Sequence, residues 1–549
     1  MKSRAHTSIG RDRASVAGKQ PPIDESTDLL IIGAGSAGIS AALTAAAGGV
    51  RVTLVDENPI PLQTMGEDVP LHFGGRMAPS VANRNAALES ILRARPQLAE
   101  VIDAGVDVRL GTAAWGLFPQ RRTAGWIDGH VAGLADEERV YLLGFRQVIV
   151  ATGCRDMGVA FDGWQRPGVM GAAAAYRLAT LYEALDSRVA VLVGSGAEAL
   201  QIGNALMDGG VRIAAVVEQA EAVAGPEGLL SRLVEKGTRV FTRHALRQTV
   251  GDAQGVVAVQ LTGVEEHGRR LSGPLEEIEC DTVVLGLAAI PAIELLEAAG
   301  CAVSFQGARG GHVAVIDDSQ RTSLSFMYAA GDCAGVWRSK TLSDDTAHRE
   351  GRIAAIAALG ALDNDGPGIH EDAVSPDPPA RDIALERLAW VRAMTLESTA
   401  TPFVCQCEEV TAADILELNP PRYLHWRRGG PESYRLGAVD PEAGAPHPDV
   451  VKRLTRAGMG TCQGRRCREQ IAALMALGTG GALADIPLAT YRPPVRPLRL
   501  AQLAAMPEAA AMGDGWESWF GIPSQWIPFW RLRPSYCAAD CAQEPVAGE

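Results

Sequence analysis

The stretch TDLLIIGAGSAGISAALTAAAGGVRVTLVDEN, residues 27–58, decides the fold. An apolar strand leads into Gly33-x-Gly35-x-x-Gly38, and an alanine-rich helix and a second apolar strand follow. In such a unit Gly33 permits the tight turn, Gly35 lets the backbone approach a pyrophosphate, and Gly38 lets the helix pack against the strand. The N–H groups at the helix N-terminus favour an anion. The stretch therefore predicts a βαβ dinucleotide-binding fold.

The second strand of this unit ends in two acidic residues. Asp56 stands where the dinucleotide fold places the acid that accepts hydrogen bonds from the adenosine ribose. Glu57 is the neighbouring alternative for the same role. FAD and NAD share this fingerprint, so another part of the chain has to decide between the two cofactors.

A second unit of the same kind lies at VAVLVGSGAEALQIGNALMDGGVRIAAVVEQ, residues 189–219. It contains Gly194-x-Gly196-x-x-Ala199, and its second strand closes on Glu218. No basic cluster follows Glu218 to receive a 2′-phosphate, so NADH is predicted over NADPH if the unit binds either nucleotide. A fold can also persist as a scaffold after losing its ligand, and both interpretations stay open.

Composition narrows the class of protein. A chain of 549 residues is long enough for about two to four domains, and 47% hydrophobic with 21% charged residues is ordinary for a globular chain. The net charge of −14 argues against a nucleic-acid partner, because clustered Lys and Arg bind phosphate backbones.

The polar N-terminus lacks a signal peptide's apolar core, and no membrane-spanning apolar run follows. We predict a cytoplasmic protein without a transmembrane segment, with a peripheral position at the inner face of the membrane as an alternative.

Four of the ten cysteines form two close pairs. FVCQCEEV contains Cys405-x-Cys407, and GMGTCQGRRC contains Cys462 and Cys467. Four thiolates are enough to close a metal site with no open coordination position. The two pairs therefore predict structural zinc or an iron–sulfur cluster, with free thiols as the remaining alternative.

The stretch TSLSFMYAAGDCAG, residues 322–335, ends a predicted strand in Gly331-Asp332. It resembles the second FAD motif of flavoproteins with two dinucleotide-binding domains, and RQVIVATGCRD resembles their crossover strand. The resemblance implies FAD in the first unit, with Asp332 as a ligand of the ribityl chain or pyrophosphate. It also implies that the helix at HREGRIAAIAAL points its positive N-terminus at the flavin. Neither nucleotide-binding region contains a redox CxxC, so Cys154 and Cys333 are interpreted as packed small residues.

The CxC pair followed by a glycine-rich CxxxxC resembles the small [2Fe-2S] domain of bacterioferritin-associated ferredoxin type. FVCQCEEVT and LTRAGMGTCQGRRC resemble its version in heteromeric opine and amino-acid dehydrogenases. Over about residues 28–505 the chain resembles the α or A subunit of opine oxidases, hydrogen cyanide synthase and dye-linked proline or hydroxyproline dehydrogenases. The resemblance implies a [2Fe-2S] cluster on Cys405, Cys407, Cys462 and Cys467.

In that family a separate FAD-dependent β subunit of amino-acid-oxidase type oxidises the C–N bond of the substrate. Some members add a small third subunit or an FMN at the subunit interface. The resemblance therefore implies a subunit that passes electrons from a partner flavin to a quinone, a cytochrome or a dye. One alternative is a stand-alone NADH-dependent reductase that uses Gly194, Gly196 and Glu218. Another is a redox sensor or assembly subunit whose cysteines bind zinc.

The predicted fold class is α/β: an FAD-binding Rossmann-like domain with an inserted NAD-type Rossmann-like domain, plus a small mainly helical [2Fe-2S] domain. A proline-, aspartate- and glycine-rich stretch indicates the linker before the last domain. The predicted segments are a flexible tail at 1–26, the first half of the FAD-binding domain at 27–160, the inserted domain at 161–300, the second half at 301–362, the linker at 363–382, the [2Fe-2S] domain at 383–480 and a C-terminal tail at 481–549.

No acid–base constellation is evident in the sequence, so no catalytic residue is predicted. His72 and Arg76, in DVPLHFGGRM, are interpreted as loop-packing residues, with a place near the flavin as the alternative. The tail segment GWESWFGIPSQWIPFW is rich in tryptophan and predicts either a partner-facing anchor or a segment that wraps onto its own chain. Cys537 and Cys541 follow it and are interpreted as unliganded thiols, with an accessory metal or partner contact as the alternative.

Overall fold

The computed structural model describes residues 22–61, 76–120, 129–363, 371–424, 436 and 446–506. Its strands are, in chain order, β1 Glu25–Ile32, β2 Val52–Asp56, β3 Asp107–Leu110, β4 Ala113–Phe118, β5 His130–Ala135, β6 Val140–Val150, β7 Cys154–Asp156, β8 Val169–Gly171, β9 Val189–Val193, β10 Arg212–Val217, β11 Arg239–Phe241, β12 His244–Asp252, β13 Gly255–Gly263, β14 Glu276–Glu279, β15 Thr282–Leu285, β16 Ala289–Pro291, β17 Val303–Gln306, β18 Gly311–Ala314, β19 Met327–Ala329, β20 Phe403–Cys405 and β21 Val410–Thr411. Its helices are α1 Ser36–Ala47, α2 Arg84–Ala94, α3 Gln97–Asp103, α4 Ala172–Tyr176, α5 Ala197–Asp208, α6 Glu227–Glu235, α7 Glu294–Ala299, α8 Arg338–Leu342, α9 Asp345–Ala361, α10 Ile383–Val391, α11 Ala412–Leu416, α12 Pro448–Thr455, α13 Arg468–Thr479 and α14 Leu500–Ala504.

The first sheet is built from two separate parts of the chain. Its strands follow the order β3-β2-β1-β6-β5-β4, and β19 also pairs with β6. β1 is parallel to β2 and β6, and β19 joins β6 in parallel with Met327 opposite Val148. The chain thus leaves this sheet after β6 and returns to it with β19. This arrangement confirms the predicted interrupted Rossmann-like fold.

The intervening chain forms a second sheet with the order β11-β10-β9-β15-β8. All of its strand pairs are parallel, and α5 follows β9 as α1 follows β1. A three-stranded antiparallel sheet, β12-β13-β14, packs against it. The second glycine loop therefore lies in its own Rossmann-like fold, inserted into the first, as predicted.

The strands of the nucleotide folds are apolar because both of their faces are covered. Leu29, Leu30 and Ile31, neighbours on β1, are all fully buried, as is typical of parallel strands packed between layers. α1 packs against α9 so closely that a Cβ on Gly351 would lie 2.1 Å from the carbonyl oxygen of Ala37. Glycine at position 351 therefore lets the two helices meet at backbone distance.

The residues predicted to form the [2Fe-2S] domain pack directly on the nucleotide folds. Trp390, Val404 and Leu474 belong to the same hydrophobic cluster as Val150 of the first sheet and Val193 of the second. This part of the chain contains the helices α10 to α13 and the small ribbon β20–β21. The structure thus shows short helices that share a core with the sheets, and a separate helical domain stays a prediction.

The described chain differs from the predicted segments at its start. β1 begins at Glu25, inside the segment predicted as a tail at 1–26, because its polar first residues already pair with β6. His72, Cys537, Cys541 and the tryptophan-rich segment lie outside the described residues. Within the described ranges, no helix is both long and apolar enough to cross a bilayer.

Two glycines of α9 provide a matched test of the α1–α9 contact. Gly351→Ala places a methyl group against the Ala37 carbonyl, which should destabilise the protein by about 1–3 kcal/mol through overpacking. Gly360→Ala meets no heavy atom within 4 Å and should stabilise the helix by up to about 1 kcal/mol. Thermal unfolding of the two variants checks this, and midpoints that move in the same direction would contradict the packing.

Candidate functional site

Close backbone contacts shape the first glycine loop. Gly33 has a φ of +108°, and a Cβ there would lie 2.2 Å from the carbonyl oxygen of Ala151. A Cβ on Gly38 would lie 1.8 Å from the Gly33 carbonyl oxygen, whereas a Cβ on Gly35 would meet no heavy atom within 4 Å. Gly35 instead lines a cavity of about 120 Å³. Gly33 and Gly38 are therefore required by packing, and Gly35 leaves room for a ligand.

The same cavity lies at the N-terminus of α1. Gly35 is the N-cap residue, no side chain caps this end, and the first turn of this helix contains no acidic residue. Backbone N–H groups and the helix dipole thus present partial positive charge to the cavity. A pyrophosphate fits this combination of open space and donors.

The two acids after β2 have different partners. One oxygen of the buried Asp56 accepts from the Ala34 N–H (2.7 Å), and the other accepts from the backbone and side-chain nitrogens of Asn58 (2.9 and 2.8 Å). Glu57 forms an ion pair of 2.7 Å with Arg496, and both residues line the cavity. Asp56 therefore holds the loop in shape, whereas Glu57 and Arg496 close one side of the cavity.

Asp332 lies in the loop after β19, beside the first glycine loop. A Cβ on Gly331 would lie 3.0 Å from the Cβ of Ala37, so this loop rests on the start of α1. Asp332 Oδ2 accepts a hydrogen bond from the Cys154 thiol at 3.4 Å. Burial raises the pKa of Asp332 and raises that of Cys154 well above its usual range. The thiol therefore stays protonated and acts as a donor to the carboxylate.

A buried ion pair fixes the Asp332 loop. Lys340 Nζ lies 2.7 Å from Glu350 Oε2, and both side chains are fully buried. Lys340 also donates to the carbonyl oxygens of Gly331 (2.7 Å) and Gly335 (2.9 Å). Glu350 accepts from the Gly331 N–H at 2.8 Å. The pair thus ties α9 to both ends of the loop and so positions Asp332.

The second glycine loop repeats the geometry of the first. Gly194 has a φ of +99°, and a Cβ there would lie 2.2 Å from the Gly286 carbonyl oxygen. A Cβ on Gly196 would meet no heavy atom within 4 Å, and Gly196 lines a cavity of about 200 Å³. Glu218 directly follows β10, is buried and forms an ion pair of 3.2 Å with Arg381.

The four clustered cysteines converge in space. Cys405, Cys462 and Cys467 are buried, and Cys407 is half-buried. The side chains of Cys405 and Cys467 interact with each other, as do those of Cys407 and Cys462. The Gly458 N–H donates to Cys405 Sγ at 3.4 Å. Among the described residues, no group of three or more His, Cys, Asp or Glu side chains is arranged so that it could hold a metal ion. The all-sulfur donor set is nevertheless the one that structural zinc and iron–sulfur clusters use.

Positive charge lies beside these thiols. The neighbouring Cys407 thiol, together with the backbone N–H of Arg466 and the charges of Arg466 and Arg465, lowers the pKa of Cys462 to about 5. Both guanidinium groups belong to buried side chains of the loop that carries Cys462. A thiolate, the form that binds metals, is therefore favoured at Cys462, whereas the neighbouring thiols and burial raise the pKa of Cys407 and that of Cys467.

A buried ionic network docks the cysteine segment on the first nucleotide fold. Arg155 of β7 donates to Glu294 Oε1 at 2.8 Å and to both oxygens of Glu469 at 2.8 and 3.2 Å. It also donates to the Tyr491 hydroxyl at 3.1 Å. Glu469 lies in the first turn of α13, two residues after Cys467. The network therefore fixes the cysteine site relative to Cys154, the immediate neighbour of Arg155.

Several residues of these sites have no role in the motifs quoted from the sequence. Each is a charged residue whose role depends on a partner that the tertiary fold supplies: the partners are 139 to 439 residues apart, except for Lys340 and Glu350, which are ten residues apart. They are Arg155, Glu294, Lys340, Glu350, Glu469 and Arg496.

Arg76 and Cys333 have packing roles in the structure. Arg76 donates to the carbonyl oxygens of Asp281 (2.7 Å) and Val256 (3.2 Å), which joins its loop to the inserted fold. The buried Cys333 thiol donates to the Val150 carbonyl oxygen at 3.1 Å. Both contacts agree with the interpretation of these residues from the sequence.

Two family models match the chain. The pyridine nucleotide-disulphide oxidoreductase model matches residues 27–353, and the sarcosine oxidase A3 domain model matches residues 442–507. The A subunit of opine oxidase from Rhizobium meliloti is 30% identical over 510 residues, covering 88% of each chain. Its counterpart from Agrobacterium tumefaciens (strain Ach5) is 29% identical, over 88% of this chain and 92% of the relative.

Two further similarities extend over most of the chain. Hydrogen cyanide synthase subunit HcnB of Pseudomonas aeruginosa is 26% identical over 80% of this chain and 90% of the relative. The crystal structure of L-proline dehydrogenase from P. horikoshii superposes with a TM-score of 0.56 and 18% identity, over 88% of this chain and 81% of that chain. The structural similarity shows a shared fold.

Removing Arg155 should show how strongly the ionic network holds the cysteine segment on the first nucleotide fold. Arg155→Met leaves Glu294 and Glu469 buried without a counter-charge, so we expect a loss of about 3–5 kcal/mol in unfolding free energy. Arg146→Met removes an exposed arginine paired with Asp28 and should cost less than about 1 kcal/mol. Urea unfolding of both variants measures the difference, and equal losses would show that the network does not hold the segments.

Two glutamates of α7 should respond to pH in opposite directions. Burial alone would raise the pKa of Glu294, but Arg155 lowers it to about 2. Glu294 therefore stabilises the fold above its unfolded pKa, and this contribution of up to about 3 kcal/mol is lost as the pH falls from about 4.5 towards 2. Burial raises the pKa of Glu297 to about 7, so Glu297 costs stability as the pH rises from about 4.5 to 7.

Urea unfolding across this pH range checks both signs. Glu294→Gln should flatten the loss of stability in acid, and Glu297→Gln should flatten the loss between about pH 4.5 and 7. Parallel pH profiles for the wild type and both variants would contradict the assignment.

Proposed function

Because the chain belongs to the pyridine nucleotide-disulphide oxidoreductase family, and within it to the group of opine oxidase A subunits, we propose that it is the electron-transferring subunit of a heteromeric flavin-dependent enzyme. The proposed reaction is oxidation of the C–N bond of an opine, an amino acid or a related secondary amine. One observation carries the proposal: Arg155 joins the first nucleotide fold to the four-cysteine site through buried ion pairs. A fixed separation of the two sites is what electron exchange between two cofactors requires.

The first nucleotide site is proposed to hold FAD. Gly35 and the N-terminus of α1 would receive the pyrophosphate, Asp56 or Glu57 the adenosine ribose, and Asp332 the ribityl side of the cofactor. The open space at Gly35 and the uncapped helix end support this assignment. When bound, a flavin accepts two electrons and releases them singly, whereas a [2Fe-2S] cluster carries one electron at a time.

The four cysteines are proposed to hold a [2Fe-2S] cluster. Three supporting features are the all-sulfur donor set, the Gly458 N–H that donates to sulfur, and the buried guanidinium groups of Arg465 and Arg466. N–H donors and positive charge around the sulfurs stabilise an anionic cluster and tune its potential. Structural zinc is the alternative for the same ligands, Cys405, Cys407, Cys462 and Cys467, and metal analysis separates the two.

Substrate oxidation is proposed to take place on a partner chain. Relatives that match over most of their length are subunits of opine oxidase and of hydrogen cyanide synthase. By analogy we infer an FAD-dependent β subunit of amino-acid-oxidase type, with or without a small third subunit and an FMN at a subunit interface. A quinone, a cytochrome or a dye would be the final acceptor.

Purification of the tagged chain from its native host, with flavin and metal analysis of the same sample, tests the proposal. We expect a co-purifying flavoprotein, bound flavin and about two irons per chain. Substrate-dependent reduction of a dye by the complex, with an opine or amino acid as substrate, would follow. A chain that purifies alone and whose flavin is bleached by NADH would contradict the proposal.

Two cysteine variants make the metal test specific. Cys462→Ser should lose the iron and keep the flavin, because the flavin residues lie on the other side of the Arg155 network. Cys280→Ser removes a buried thiol of the inserted fold and should keep both cofactors. Zinc in place of iron in the wild type would support the redox-sensor or assembly alternative.

A further inference from the structure

A segment from outside the second nucleotide fold lies across that fold. This segment, residues 377–387, is called the strap, and it runs from the end of the predicted linker into α10. Pro378, Pro379 and Arg381 of the strap line the same cavity of about 200 Å³ as Gly196 of the second glycine loop. The strap therefore forms one wall of the space where a nucleotide's phosphates would lie.

Arg381 forms an ion pair with the acidic residue that would bind a dinucleotide's ribose. Glu218 ends the second unit in the position that accepts hydrogen bonds from ribose hydroxyls in NAD-type folds. In the structure its Oε1 lies 3.2 Å from an Arg381 nitrogen and accepts from the Ala220 N–H at 2.9 Å. Its Oε2 accepts from the Ser195 hydroxyl, and Arg381 also donates to the Ala222 carbonyl oxygen. Asp56 of the first fold makes similar bonds within its own loop, so the feature that distinguishes Glu218 is its ion pair with a residue of the strap.

The strap also divides the space that an extended dinucleotide would fill. One cavity, of about 200 Å³, lies at Gly196. A second, of about 480 Å³, lies beyond the end of β10 and is lined by Gln219 and Arg243. Arg381 and Glu386 line both cavities and lie 3.4 Å apart. A ligand reaching from one cavity to the other would have to separate Arg381 from its partners.

The strap is anchored at both ends. Asp377 accepts from the Ser339 N–H at 2.6 Å, and Arg387 donates to the Gly310 carbonyl oxygen at 2.6 Å. Between them Asp382 caps α10 by accepting from the Ala384 N–H at 2.8 Å. The two consecutive prolines restrict the backbone of the strap further. These bonds hold the strap in the position in which it covers the second nucleotide fold.

We propose that the strap closes the second nucleotide fold of this chain to NAD(H). A nucleotide would bind only after Arg381 leaves Glu218, so its apparent affinity is reduced by the fraction of molecules in which the strap is open. This closure concerns the inserted fold alone and does not depend on the proposed function. It implies that NADH does not deliver electrons through the inserted fold.

Titration of the full-length chain with NADH, followed by NADH fluorescence and calorimetry, tests the strap. The wild type should show no saturable binding at concentrations that saturate ordinary NADH enzymes. Arg381→Ala should tighten NADH binding by at least about tenfold, because it raises the open fraction of the strap. The double variant Pro378→Gly/Pro379→Gly loosens the strap without changing charge and should act in the same direction. Circular dichroism confirms that each variant is folded.

Arg349→Ala is the matched control. Arg349 pairs with Glu371 in the predicted linker and lines neither cavity, so its removal should leave NADH binding unchanged. Saturable NADH binding by the wild type that Arg381→Ala weakens would overturn the proposal, because Arg381 would then be a ligand residue. Absence of binding in the wild type and in every folded strap variant would overturn it as well, because something other than the strap would then close the site.

Discussion

The buried guanidinium of Arg155 is the constraint on which the relation between the two candidate sites depends. Moving such a charge out of water costs several kcal/mol, so a buried guanidinium is stable only when carboxylates lie beside it. Glu294 of α7 and Glu469 of α13 supply them at 2.8 Å. Arg155 lies next to Cys154, whose thiol contacts Asp332, and Glu469 lies two residues after Cys467. One ionic network thus sets the orientation of the cysteine loop against the Asp332 loop.

Buried ion pairs also account for the difference between the surroundings of the two glycine loops. Both loops have the same backbone geometry, with a positive φ at Gly33 and Gly194. In the first, the Lys340–Glu350 pair holds the neighbouring Asp332 loop from behind and leaves the cavity at α1 open. In the second, Arg381 lies between the two cavities that flank the fold. Charged partners from distant segments, and not the glycine motif, therefore set what each fold can accept.

This difference explains how far the sequence could predict the molecule. The βαβ units follow from local rules, because strand burial, tight turns and helix packing dictate Gly33, Gly38 and Gly194 within a few residues. The return of β19 to the first sheet is implied by the resemblance of residues 322–335 to the second FAD motif, not by local rules. The Arg155–Glu469 pair is separated by 314 residues, and a charged residue on a surface helix has the same local pattern as a buried one. Such pairs depend on the tertiary fold and leave no trace in sequence spacing.

The predicted linker is a second case in which the sequence pattern does not reveal tertiary contacts, and these contacts have a mechanical consequence. Proline, aspartate and glycine indicate an exposed spacer, but Asp377 and Arg381 are bonded to other segments. The strap continues into α10, and α10 packs against α13, the helix that begins directly after Cys467. Moving the strap away from the second nucleotide fold would therefore disturb the helix against which the cysteine segment is packed. Closure of the inserted fold and docking of the cysteine segment are two results of one packing arrangement.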